Sequence, residues 1–416
     1  MSDDRIQSQH NEHSAAIKVV QELSSKQHVA YLAGGCVRDL LLGIEPKDYD
    51  VATDATPEKI AQYFKRTASV GAAFGVMLVR DFGCTIEVAT FRSDGVYSDT
   101  RRPDSVQFSS PKEDALRRDF TINALFMDPL EDSEHPKIID FVDGMKDVEQ
   151  RVLRAVGNPE ARLQEDHLRA LRGVRFAAKY ALTIEEKTFN SIRDHASELA
   201  GVSVERIGEE MRKMLIHSSR VKSCKLIDQL DLDNAIFGDA NRFDPMVMDA
   251  LPSDIEFSVA LSALAIGRGF SIGDDVGSIC SHYRKVLDLS NSDRDSMKSI
   301  LSLLCIMSKN WDELSNAKKK RLLSFEHAPE SLEILKVLNS EHAQCILMER
   351  SKLELSSGGL HPDPYVCGAD LIELGLKPGP NFKQVLDSTY DAQLEGDIRT
   401  KSEAIALASQ LANELA

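Results

Sequence analysis

Apolar positions Ile17, Val20 and Leu23 recur at three-residue spacing, which predicts a helix over residues 14–27. The pattern changes at Val29, where an apolar run to Ala33 predicts a short strand. Thr56-Pro57-Glu58 reads as a helix start, with Thr56 as N-cap and Pro57 in the first helical position, where its missing N–H costs nothing. Apolar runs at 76–79 and 85–91 flank Asp81-Phe82-Gly83 and read as a hairpin. Residues 93–112 are polar and turn-rich, hence a loop, and 138–142 read as a last short strand ahead of Asp143-Gly144. From about residue 147 onward strand signals nearly vanish and helical periods dominate. The predicted class is α+β, a mixed head followed by an all-helical remainder. The expected divisions are an N-terminal helix and tail (1–27), the head (28–146), and helical stretches at 147–222, 223–352 and 353–416.

Chemistry concentrates in residues 34–53, GGCVRDLLLGIEPKDYDVAT. Gly34 and Gly35 follow the first strand and can let a phosphate approach the bare main chain. Arg38, three positions past Gly35 on a presumed helix, is placed to contact such phosphates, while Asp39 reads as its local ion-pair partner. Side chains alternate along a strand, so Asp48 and Asp50 share a face and can share a divalent cation. In CTIEVATF, Ile86 and Val88 would face a core and Glu87 the opposite side, toward the two aspartates if the strands are neighbours. Two carboxylates on one metal beside a glycine turn suit transfer of a nucleotidyl group.

Two further segments, ALRRDFTINALF (115–126) and QEDHLRALRGVRFAAK (164–179), complete a recognisable series. With the residues above, they resemble the class II tRNA nucleotidyltransferase and bacterial poly(A) polymerase family, whose catalytic head is like that of DNA polymerase beta. The resemblance runs in order and spacing from about residue 25 to 220. It returns in GADLIELGLKPGP and YDAQLEGDIRTKSEAIALA, which are similar to the tail of CCA-adding members. It implies a DNA polymerase beta-like nucleotidyltransferase head with a small mixed sheet, a neck (147–222) that selects the nucleotide and binds RNA, and a tRNA-binding tail (353–416).

It also implies roles residue by residue. Asp48 and Asp50 would hold two Mg²⁺ ions, Glu87 would be the third catalytic carboxylate, and Gly34, Gly35, Arg38 and Arg118 would bind the nucleotide. Asp166, Arg169, Arg172 and Arg175 recur every three residues, so on one helix they would be surface neighbours. A carboxylate accepts from an exocyclic amine and a guanidinium donates to ring acceptors. Asp166 with Arg169 would therefore accept cytosine or adenine and reject uracil and guanine, with Arg172 and Arg175 completing the pocket. The alternative for these same residues is a string of ion pairs on a solvated helix. The substrates implied are CTP, ATP and the 3′ end of tRNA. DGVYSDTRRPDSVQF in the 93–112 loop resembles the flexible loop of members that add CCA or the terminal A, against a C-only specificity. A poly(A) polymerase acting on general RNA shares the head motifs, and a non-catalytic RNA-binding relative would lack a carboxylate that is present here.

The net charge of −16 counts against an RNA partner for the chain as a whole, but residues 151–222 carry fourteen Lys/Arg against ten Asp/Glu. No apolar run approaches the length of a membrane span. The N-terminus is polar, without a signal-peptide pattern, and the seven cysteines form no C-x-x-C, which points to the cytoplasm. His10 and His13 fall in a stretch expected to be a disordered tail, and the histidines show no metal-ligand spacing. Cys36 reads as structural, and Trp311 and the 318–321 basic run as surface helix features.

Overall fold

The computed structural model describes residues 3–70, 75–94, 106–131, 136–239, 241–356, 358–376 and 378–415. The chain divides into two compact units, residues 1–240 and 241–416.

The first unit is built on a seven-stranded sheet with strands β1 (Ala30–Ala33), β2 (Asp50–Thr53), β3 (Thr67–Ser69), β4 (Val76–Val79), β5 (Ile86–Thr90), a further strand Phe126–Asp128 and an edge strand Lys137–Ile139. β1 and β2 lie antiparallel, as do β4 and β5, whereas β2 and β5 run parallel with Asp50 opposite Glu87. This one parallel pairing makes the sheet mixed. Helix α1 (Asp3–Ser25) covers one face, burying Ala15, Ala16, Val19, Val20 and Leu23 in a core with Leu32, Val51 and Val88. The stretch expected to be disordered is thus helical from Asp3, and the His13 ring stacks on Tyr49 at 4.8 Å. Alanines carry much of its buried stripe, which is why Ile17, Val20 and Leu23 alone understated its length.

Three other boundaries differ from the sequence reading. Arg92–Asp94 and Val106–Phe108 pair as an antiparallel ribbon, and Ser110 and Glu113 form a capping box that starts the helix Pro111–Leu116. The expected loop therefore contains order at both ends; residues 95–105 lie outside the described residues. The edge strand stops at Ile139 because the Asp140 carboxylate accepts from the N–H groups of Val142, Gly144 and Met145, turning the chain into the next helix. The helix expected to carry Asp166 through Arg175 is two helices. One ends at Glu165 (Pro159–Glu165) and the next runs Arg169–Lys179. Asp166 between them is extended, φ −156°, and its Oδ1 accepts from the Leu168 N–H. A short acidic side chain competing for backbone donors interrupts the helix there.

The second unit is helical throughout its described residues. Helix Phe257–Gly267 is buried on nearly every face, and Val366, Leu371, Val385, Ala404 and Ala408 form a separate apolar cluster near the chain's end. Trp311 is 2% exposed, and its indole N–H donates to Glu349 at 2.6 Å. Lys319 reaches the same carboxylate at 2.7 Å, and Arg321 pairs with Asp391 at 2.6 Å. Trp311 and much of the basic run are therefore internal clips between helices, not surface features. Among the described residues no helix is long and apolar enough to cross a membrane.

Candidate active site

A cleft of about 780 Å³ in the first unit is lined by Gly34, Gly35, Arg38, Asp48, Asp50, Glu87, Arg118, Asp166, Arg169, Arg172 and Arg175. Residues separated by over a hundred positions in sequence thus face one space.

The acidic side is made by β2 and β5. Asp50 opens β2 and Glu87 lies in register beside it; Asp48 precedes the strand and lines the same cleft. Alternation puts Val51 and Val88 into the core and leaves Asp50 and Glu87 to the cleft. Desolvation by the surrounding cleft walls, then the negative charges of Glu87 and Asp48, push the Asp50 carboxyl up to about 6, with Arg118 opposing them, although the side chain itself stays open to the cleft. Accumulated negative charge on hard oxygen donors suits a divalent cation. Among the described residues no three acidic, His or Cys groups form a closed cage. A cation completed by water and substrate phosphates needs no such cage.

The glycine turn lies against Arg118. Gly34 has φ +70°, and a Cβ there would come within 2.8 Å of Arg118 Nη1. Arg118 donates to the Asn123 carbonyl at 2.9 Å and to Asp114 at 2.9 Å, with its guanidinium 5.0 Å from the Phe126 ring centroid. Burial alone would raise the Asp114 carboxyl; Arg118 and Arg117 outweigh it and hold it below the usual range. Arg38 is 5% exposed, donating to Asp39 at 2.6 Å, to Asn123 Oδ1 at 2.5 Å and to the Tyr180 hydroxyl at 2.5 Å, and it lies 4.2 Å from the Tyr180 ring centroid. Four of its five N–H groups are taken within the protein, so it braces the glycine turn while still lining the cleft. The Asp39 ion pair is present at 2.6 Å.

The opposite side is the arginine helix Arg169–Lys179, which buries Leu171, Val174 and Ala177 and turns its arginines outward. Each arginine has its own anchor, so the series is not a string of mutual ion pairs. Arg169 donates to Glu165 at 2.7 Å and to the carbonyl of Arg162 at 2.9 Å. Arg172 holds Asp119 at 2.7 Å, and Arg175 holds Glu210 at 2.6 Å. Asp166 Oδ2 accepts from Arg206 at 2.7 Å. Burial would raise Asp119, but Arg172 and Asn123 hold it at about 2.

Sequence reasoning missed Asn123, Asp119, Arg206 and Glu210. Asn123 Nδ2 donates to Asp119 at 3.1 Å, so hydrogen bonds run from Arg38 through Asn123 and Asp119 to Arg172. Asp119 and Asn123 lie inside the quoted 115–126 segment, but nothing in their spacing announces these partners. Cys36 is buried, its thiol pushed up to about 11 by burial, in keeping with an inert group.

Fold and site together define a nucleotidyltransferase. Residues 30–154 match the Poly A polymerase head domain family, and residues 181–243 match the family described as a probable RNA and SrmB-binding site of polymerase A. The chain is 33% identical over 403 residues to a CCA-adding enzyme of Streptococcus mutans, spanning 95% of this chain and 96% of that one. It is 32% identical over 409 residues to a CCA-adding enzyme of Lactiplantibacillus plantarum, spanning 95% of each. A crystal structure of the Bacillus stearothermophilus CCA-adding enzyme in complex with CTP superposes with a TM-score of 0.77 at 27% identity, covering 96% of this chain and 97% of that one. The chain belongs to the CCA-adding enzyme family.

Proposed function

We propose that this cleft adds C, C and A to the 3′ end of tRNA, using CTP and ATP without a nucleic-acid template. The observation that carries the proposal is the meeting of the Asp48, Asp50 and Glu87 carboxylates with the Asp166–Arg169 pair in one cleft. Asp48 and Asp50 would hold Mg²⁺, which when bound supplies a nucleophilic 3′ oxygen and neutralises the triphosphate. Glu87, in register with Asp50, completes the acidic wall and would add its charge to the hold on a cation there. Arg118, held by Asp114, is directed at the nucleotide beside the Gly34 turn.

Base choice follows from donor and acceptor chemistry. Asp166 accepts from the exocyclic amine of cytosine or adenine, while Arg169 donates to the ring acceptors. Uracil and guanine present a carbonyl opposite the carboxylate, leaving two acceptors facing each other. Because Glu165 and backbone carbonyls hold Arg169, and Arg206 holds Asp166, the pair is pre-set in direction before the nucleotide arrives. The seven free thiols agree with a cytoplasmic setting.

The test is incubation with tRNA transcripts lacking the 3′ CCA, lacking only the final A, or complete, each nucleotide supplied singly. The proposal expects CTP alone to extend the first, ATP alone the second, and nothing the third. Addition of A only, with no use of CTP on any transcript, would overturn it.

A further inference from the structure

A second concavity, of about 410 Å³, lies wholly within the second unit and is lined by Lys320, Arg399, Asn316, Tyr365 and Glu395 among others. Lys320 is 4% exposed, yet its ammonium makes no hydrogen bond or ion pair with any described residue. The contrast with its neighbours on the same helix (Asn316–Leu323) is direct. Lys319 is paired with Glu349 and Arg321 with Asp391. Arg399 is exposed and makes no close ion pair with a described residue: Glu403 feels its charge, and its guanidinium makes a long 3.4 Å bond to the Gly396 carbonyl. Glu395 is the one acid lining the concavity, and one of its oxygens already accepts from the Ala317 N–H at 2.7 Å.

An ammonium on a nearly buried side chain, opening only onto this recess and without a close ion pair, is better satisfied when it meets an anion. Two cations converging on one recess, with the Asn316 amide and Tyr365 hydroxyl on its walls, form a receptor for an oxyanion. With Glu395 on the wall the recess keeps a net positive charge, and its Lys, Arg, Asn and Tyr donors suit the tetrahedral oxygens of a phosphate monoester better than a planar carboxylate. An RNA backbone offers singly charged diesters on a convex, ribose-covered surface and is met by exposed cations. Lys320 is too covered for that. We propose that this recess binds a small molecule carrying a phosphate monoester, apart from the nucleotide cleft of the head.

The test is titration of the full-length protein, in chelator-containing buffer, with inorganic phosphate, with adenosine 5′-monophosphate, and with a short single-stranded RNA lacking terminal phosphates. Binding is read by calorimetry and by thermal stabilisation. The head cleft also accepts phosphates, so the signal is the difference between wild type and the variants Lys320→Met and Arg399→Gln. Phosphate and the monophosphate should each show a binding phase whose Kd rises about tenfold or more in Lys320→Met and about threefold in Arg399→Gln. Without added anion, Lys320→Met should melt above wild type, because an unpaired covered charge has been removed. If Lys320→Met does not fold, the exposed Arg399 position decides alone. Identical phosphate titrations for wild type and Arg399→Gln would overturn the proposal. So would variants that weaken only RNA binding or raise only the KM for tRNA, since the recess would then belong to the RNA surface.

Discussion

At the scale of single residues, the account turns on which charges are matched. Asp50 is the mismatched one, raised from 3.8 to about 6 by desolvation and by two neighbouring acids. Without metal the folded state keeps a proton that the unfolded state releases between those values, so folding stability falls as pH rises from about 4 to 6. Asp50→Asn should therefore stabilise the metal-free protein at pH 7, by about 1 kcal/mol after solvent screening, and raise its melting temperature. The same variant should lose nucleotide incorporation by far more than the roughly 10²–10⁴-fold typical of a lost acid–base group. A variant with unchanged melting and near wild-type rate would remove Asp50 from the metal site. Asp119 is the opposite case, held at about 2 by Arg172 and Asn123. Its contribution is complete above the usual carboxylate range and is lost as pH falls toward 2, so it should make no pH dependence of stability near neutrality. Asp119→Ala should nevertheless cost about 3 kcal/mol, because Arg172 is left without its partner. Denaturant unfolding at pH 7 measures that loss. Replacing Asp166 or Arg169 by Ala should change the ratio of C and A to U and G incorporation by about 1–3 kcal/mol. An equal fall for all four nucleotides would assign these residues to structure instead.

At the scale of elements, the strands near the acidic wall were legible because alternation and the short turn at residues 81–83 leave a clear trace in sequence. Ile86 and Val88 inward with Glu87 outward is the pattern observed. The break at Asp166 was not legible, because it depends on a side chain taking the Leu168 N–H and not on the apolar period. The bracing of Arg38 was hidden for a similar reason: its direction is decided by Tyr180, 142 positions away. Burial of Trp311 likewise depends on Glu349 from a distant helix. The site residues could be named from local motifs, but their anchors are tertiary. The chain of bonds from Arg38 through Asn123 to Arg172 ties the glycine turn to the arginine helix. Gly34→Ala tests the turn itself. With φ +70° and a 2.8 Å approach to Arg118, it should lose about 1–3 kcal/mol of stability and raise the KM for both nucleotides.

At the scale of the whole molecule, the opposing features are a net charge of −16 and a locally basic stretch over residues 151–222. Attraction to RNA is then local, and unstructured RNA should bind weakly at moderate salt. A folded acceptor stem can be held by shape as well as charge. The same reasoning separates this chain from a polymerase of general A-tails, which must hold RNA of any shape. The most direct measurement supplies CTP and ATP together to a tRNA lacking its 3′ CCA and, separately, to an unstructured RNA primer, with product length read at single-nucleotide resolution. The account predicts three additions to the tRNA, then arrest, and little extension of the primer. Long A-tails on the primer, at a rate equal to that on tRNA, would contradict it.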